Sequence, residues 1–344
     1  GIAGGDLRLD KVCVQIGAKT SSGNLVLTAP SGVSNPLPFV VASGNIYFVS
    51  TTGSDSGAGT FAAPWRSMLK ARNTMAPGDI TYVRSGAGQM ADDGSGWSTS
   101  LLLDANAGTA TAPKAFVVYP GESATIGSIT SGMGIRSKGN GNSFWVFAGF
   151  SMLGSSVALN TYDDAGWRIV GNDMTCPNGN AQAGCLDLGG SGKSTGHVIY
   201  GNSIHDVGTN NVPTTVTALY HGIYLSETNS AIDFGYNTVA RVFGGRCIQQ
   251  HVNTGPGSFG ISIHDNFIHD CQLDGIVMTT INPSKGAVTI RNNVIYNAGK
   301  GPANAENSGA WNGINLQGWA NGGVPAESGI ADVSQNTLYG NGTY

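Results

Sequence analysis

The sequence predicts an all-β protein: a right-handed parallel β-helix, a solenoid of stacked coils, with a short helical cap at its N-terminal end and a partial β-sandwich before that. Three observations carry the prediction. An apolar–Asn–apolar pattern recurs six times in the second half of the chain. A second set of short strands can be set in register beside it. Finally, 53 glycines with 11% charged and 40% hydrophobic residues suit a chain of many turns. That composition is too apolar for disorder, and the glycines lack the three-residue period of collagen.

Residues 1–43 alternate in short apolar runs, Val12–Ile16, Asn24–Thr28 and Phe39–Val41, with Pro30-Ser-Gly32 between the last two. They read as the closing strands of an antiparallel sandwich. The stretch "GNLVLTAPSGVSNPLPFVVASG" resembles the end of the TIG/IPT immunoglobulin-like module of bacterial surface and secreted proteins. The resemblance implies that about half of the module lies upstream of Gly1.

The solenoid is expected over residues 44–344, with 44–90 as its cap. There a strand, a Gly/Ser/Asp loop, a short helix and a second strand follow one another. Pro64 suits a first helical turn, Trp65, Met68, Leu69 and Arg72 keep helical spacing, and Pro77-Gly78 ends the helix. A solenoid must cover its first open rung, and an amphipathic helix does so. This stretch resembles the cap of bacterial extracellular β-helix proteins of the pectate-lyase-like superfamily, among them polysaccharide lyases.

The repeat is expected from near residue 144 and is clear from 166. Its asparagines are Asn172, Asn202, Asn237, Asn266, Asn293 and Asn336. Three residues before them stand Ile169, Ile199, Phe234, Ile263, Ile290 and Val333; two residues after them, Met174, Ile204, Val239, Ile268, Ile295 and Leu338. One coil cannot bury its inward side chains alone, whereas stacked coils form continuous columns. The Asn is expected to adopt the left-handed backbone of a sharp corner and to bond the Asn of the next rung. Tyr344 is expected to fall in mid-coil, so that further coils or a partner cover the last rung, by self-association if need be.

The second strand set is "GCLDL", "HGIYLS", "RCIQQH", "DGIVMT" and "NGINLQ". Leu186, Ile223, Ile248, Ile276 and Ile314 are expected inside, with Asp187, Tyr224, Gln249, Val277 and Asn315 outside. Gly184, His221, Arg246, Asp274 and Asn312 precede them at a corner, and His251 lies two positions beyond Gln249. With rungs about 4.8 Å apart, His221, Arg246, Tyr224, Asp274, Gln249, His251 and Asn315 gather on consecutive rungs. This is the chain's best candidate site, with a corner ion pair of Arg246 and Asp274 as its plain structural alternative. Gln250, in an inward column, needs partners or marks a shift of register.

Other histidines read as structural. His205 and His269 in "IHD" are expected to bond their own loops, His264 and Arg291 to solvate a face, and His197 to sit satisfied and semi-buried. Five cysteines form no CxxC pair, so zinc and thioredoxin-type chemistry have no support. Cys176 and Cys185 flank a short loop and are placed to bridge, whereas Cys185 and Cys247 lie two rungs apart, too far.

A net charge of −4 without a basic run argues against nucleic-acid binding, and no apolar stretch has the length of a membrane span. The superfamily resemblance implies a secreted protein acting on polysaccharide. A lyase neutralises a uronic carboxylate with a cation or metal and takes the proton beside it. Arg246 would be that cation and His221 or Tyr224 the base or acid, with Asp274, Gln249, His251 and Asn315 against the substrate. No cofactor is dictated; Ca2+ is the open candidate. A hydrolase needs paired carboxyls, and no outward column carries acids on adjacent rungs. The rival from another class is a non-catalytic surface protein: carbohydrate-binding module, adhesin, stalk or filament subunit. If the lyase reading holds, Arg246→Ala is expected to abolish turnover while leaving folding nearly intact.

Overall fold

The computed structural model describes residues 21–41, 43–86, 99–104, 106–130, 132–139, 141–178, 183–208, 220–253, 255–300, 311–317 and 329–342. The chain divides into two compact units, Gly1–Ser43 and Gly44–Tyr344. In the first, Gly23–Leu25 pairs antiparallel with Leu37–Phe39, and Thr28–Ala29 with Gly32–Val33. The expected Val12–Ile16 strand and Cys13 lie outside the described residues.

The second unit is a right-handed parallel β-helix of three parallel sheets, one of eleven strands and two of eight. Each sheet turns at least one long apolar column into the core. Leu101, Ile135, Leu159, Leu186, Ile223, Ile248, Ile276 and Ile314 are in register along the sheet that carries the candidate site. Ile169, Ile199, Phe234, Ile263, Ile290 and Val333 align in the eleven-stranded sheet. Met174, Ile204, Val239, Ile268, Ile295 and Leu338 align in the third. All three columns match the expected ones. Period-2 alternation puts every second side chain inside, and stacking makes each buried residue a neighbour of its equivalents above and below.

The stack starts earlier than residue 144. Ile46–Val49 already pairs in parallel with Ile80–Val83, which pairs with Lys114–Val118. The strands assigned to the cap are therefore rungs, and the part added to them is the helix Met68–Thr74. Its N-cap is Ser67, whose hydroxyl accepts the Lys70 N–H and donates to Asp55. Pro64 lies three residues before that cap and not in the first turn. Met68 and Ala71 are buried on the face turned to the core.

At the corner, each Asn Oδ1 accepts both the backbone and the side-chain N–H of the preceding Asn, from Asn172 through Asn202, Asn237, Asn266 and Asn293 to Asn336. Each Nδ2 also donates to a carbonyl of the rung before, as Asn202 does to Ile169. The asparagines themselves are not left-handed. The residue before each one is: Gly171, Gly201, Tyr236, Asp265, Asn292 and Gln335 have φ between 55 and 65° or within a degree of that range. The Asn is retained for its amide, and its neighbour bears the strain.

Two disulfides staple the corner between the third sheet and the site sheet. Cys176–Cys185 joins strands of one coil, as expected; Cys247–Cys271 joins successive coils and was not foreseen. Closing loops of 9 and 24 residues contributes about 3 kcal/mol each on a chain-entropy account.

Candidate functional site

The site sheet runs Thr99–Leu103, Met133–Ser137, Val157–Tyr162, Ala183–Gly189, Tyr220–Ser226, Ile248–His251, Ile276–Met278 and Ile314–Leu316. Its outward column reads Arg136, Asn160, Asp187, Tyr224, Gln249, Val277 and Asn315, in the expected register from Asp187 onward. Outward does not mean exposed. Tyr224, Gln249 and Val277 are buried, so most of this face is sheltered from water. Register also holds through Gln250. Its amide donates to Ser258 and accepts the Thr280 N–H inside the coil.

Arg246 is the hub. Its Nε donates to Asp274 Oδ2 at 3.3 Å and its Nη1 to Gln249 Oε1 at 2.8 Å, and the guanidinium lies 5.6 Å from the Trp311 ring. Asp274 is fully buried, and its Oδ1 accepts the Asn312 N–H and the Asn315 amide. The corner ion pair is therefore real: Asp274 and Gln249 hold the cation, and Asn315 holds Asp274. The Arg246 side chain is only 11% exposed. An arginine so engaged contributes to the fold, which corrects the expectation that its removal leaves folding nearly intact.

His221 is buried, and its Nδ1 accepts the Arg246 backbone N–H at 3.4 Å. Its ring lies against Tyr224, centroids 5.2 Å apart. Burial, seconded by the charges of Arg246 and His251, holds its pKa well below the ordinary histidine range. With Nδ1 accepting, a neutral ring carries its proton on Nε2. Half-buried His251 pairs in register with Ser226. Burial first, then the charges of Asp187 and Glu227, push Tyr224 up to about 12, so it remains a phenol.

Two residues have no role in the sequence reading: Trp311, which it does not single out, and Asp187, which it places in the outward column only. Trp311 stands one residue before the last corner and packs on the cation. Asp187 sits beside Tyr224 with Asn160 donating to its Oδ2 at 3.1 Å, while its Oδ1 is enclosed with no hydrogen-bond partner among the described residues. Burial raises its pKa to about 7, against the Asn160 hydrogen bond. An acid in an outward column with Asn160 and Tyr224 as its register neighbours was the available signal.

Asp187 and Asp274 lie three rungs apart, about 14 Å along the stack. They cannot share a calcium ion at about 2.4 Å per oxygen, nor form a hydrolase pair within about 9.5 Å. Among the described residues no group of three or more His, Cys, Asp or Glu is placed to hold a metal.

The remaining histidines are structural. His205 bonds Asp206 and Asp173, His269 bonds Asp270, and His264 is buried between Asp233 and Asp265 instead of solvating a face. Fully buried His197 accepts the Trp167 N–H on Nδ1, and its Nε2 has no partner of good hydrogen-bond geometry among the described residues. Burial lowers its pKa to about 4. The unfolded chain, titrating near 6.5, then takes up a proton that the folded one refuses. Stability is lost as pH falls from about 6.5 toward 4. His197→Asn, whose amide oxygen can take the Trp167 N–H, is expected to flatten that slope in urea titrations at stepped pH; an unchanged slope refutes the assignment.

Three sheets closed by stacked coils, with one lined outward face, define the class: a right-handed parallel β-helix protein. No family model and no curated protein matches the chain. Solved structures do. An alginate lyase from Paenibacillus sp. str. FPU-7 is 14% identical with a TM-score of 0.50, the match covering 87% of this chain and 99% of that one. A rhamnogalacturonan lyase is 17% identical at 0.48, covering 87% and 69%, and pectate lyase Pel9A 13% at 0.48, covering 87% and 79%. At these identities the likeness shows the fold.

Proposed function

We propose that the protein is a secreted polysaccharide lyase that cleaves a uronic-acid-containing chain by β-elimination. One observation carries the reading: a buried-edge arginine, Arg246, is fixed by Asp274 and Gln249 one rung from the protonated phenol of Tyr224. Such a cation neutralises a uronic carboxylate and so eases loss of the proton beside it. Tyr224 donates its proton to the departing glycosidic oxygen, and His251 lines the same face. His221, its Nδ1 already engaged, positions the Arg246 backbone. The likeness in fold to an alginate lyase supports a polysaccharide substrate. Two disulfides support an oxidising compartment, and the TIG/IPT-like N-terminal stretch fits a surface or secreted protein.

The test is ultraviolet absorbance from a new double bond when the protein meets alginate or polygalacturonate. Tyr224→Phe keeps the ring and its packing and is expected to lower kcat by about 10²–10⁴. An unaffected rate removes Tyr224 from the chemistry. A second reading, non-catalytic saccharide binding, is favoured by the internal engagement of Arg246. It predicts retention on acidic polysaccharide with no absorbance change.

A further inference from the structure

We propose that Asp187 is the base of this elimination and that Tyr224, one rung away, is its partner acid. The inference rests on the lyase reading above and adds the residue that takes the proton. The carboxyl is anchored on one side only: Asn160 holds Oδ2, and Oδ1, in the column shared with Tyr224, is enclosed without a hydrogen-bond partner among the described residues. No ion pair with Asp187 is formed among the described residues. A buried, unpaired lone pair on an outward strand position is costly as structure. Asp187 as a whole is only half-buried, so its carboxyl stays within reach of the outward face, and a substrate C–H makes no hydrogen bond in advance.

Neighbouring groups leave Asp187 the better placed base. The strands packed on its own within the sheet carry Tyr162 on one side and Tyr220, His221 and Tyr224 on the other. His221 has its Nδ1 occupied, and Tyr224 holds its proton. On adjoining strands of the third sheet, His205 bonds both Asp173 and Asp206, and Arg241 pairs with Asp206. Burial, which raises Asp187 to about 7, makes it half ionised near neutrality and more basic than an exposed carboxylate.

The step balances. The Asp187 carboxylate takes the proton from C5, and the C–H electron pair becomes the C4=C5 double bond. The C4–O4 bond breaks, and O4 leaves with the Tyr224 proton. Asp187 now carries the proton that Tyr224 has lost, and transfer between these register neighbours restores both.

The experiment compares Asp187→Asn, Asp187→Glu and Arg246→Ala with the wild-type full chain on alginate and polygalacturonate. Asp187→Asn is expected to lower kcat at least about 100-fold with KM little changed, and Asp187→Glu to recover part of it. Wild-type kcat is expected to rise with pH through a midpoint near 7 that the Asn variant lacks. The melting temperature of Asp187→Asn at pH 8 is expected to stay level or rise, because an uncompensated buried carboxylate becomes an amide. Asp187→Asn within a few fold of wild type beside a dead Arg246→Ala overturns the base assignment alone. A lowered melting temperature in Asp187→Asn overturns it too, since the carboxylate then serves the fold. No double bond from the wild type on either polymer overturns the lyase reading and the base with it.

Discussion

Arg246→Ala is expected to lower the unfolding free energy by about 3–5 kcal/mol as well as to abolish turnover. The reason is Asp274, which is fully buried and paired with the Arg246 guanidinium. Removing the cation leaves the carboxylate with the Asn312 N–H and the Asn315 amide alone. It also leaves Gln249 Oε1 without its donor and uncovers Trp311. Activity alone therefore cannot separate a catalytic arginine from a structural one. The double variant Arg246→Ala/Asp274→Asn can, because it removes both charges and retains an amide for the two Asn contacts. Its melting temperature is expected to recover most of the loss while turnover stays absent. Recovery of both would show that Arg246 acts through folding; recovery of neither would show that the pair is not what destabilises the single variant.

Asn237→Ala is expected to cost roughly 2–5 kcal/mol, the sum of several buried groups left unpaired. Its Oδ1 accepts the Asn202 N–H and amide, and its Nδ2 donates to the carbonyls of Ile199 and Gly235 and to Asn266. All of this is enclosed, so no water replaces it. Asn336, at the last described rung, makes the same kind of bonds but is only half-buried. Asn336→Ala is expected to cost distinctly less. Urea midpoints of the two variants measure the difference, and equal costs would mean that burial of the ladder contributes nothing.

The columns and their register were legible because each rung repeats the same demand: an apolar side chain inside and an amide at the corner. Six repetitions make Asn237 or Ile263 conspicuous. The strained position next to the Asn was not legible, since Gly, Tyr, Asp, Asn and Gln all occupy it and the neighbouring amide ladder imposes the conformation. Alternation places Cys247 in one column with Cys185 and gives no sign of Cys271. Cys271 lies in a different sheet, and only the turn of the coil brings the two together. In the candidate site, alternation told which way Tyr224 and Gln249 point but not that they are buried. Burial depends on what packs over a strand, and it is burial that makes Asp187 a weak acid and His221 a weak base.

The corner ladder also has a direction. Every Asn passes its N–H groups to the Asn of the following rung, from Asn172 to Asn336, and none passes them back. Six consecutive side-chain amides, joined by five bonds, thus align their dipoles head to tail along the solenoid axis, each polarising the next. One edge of the molecule is in effect a wire with a negative sense at its N-terminal end and a positive sense at its C-terminal end. A cut at Asn237 removes more than one amide's bonds, because the segments on either side each lose the polarisation that the other supplied.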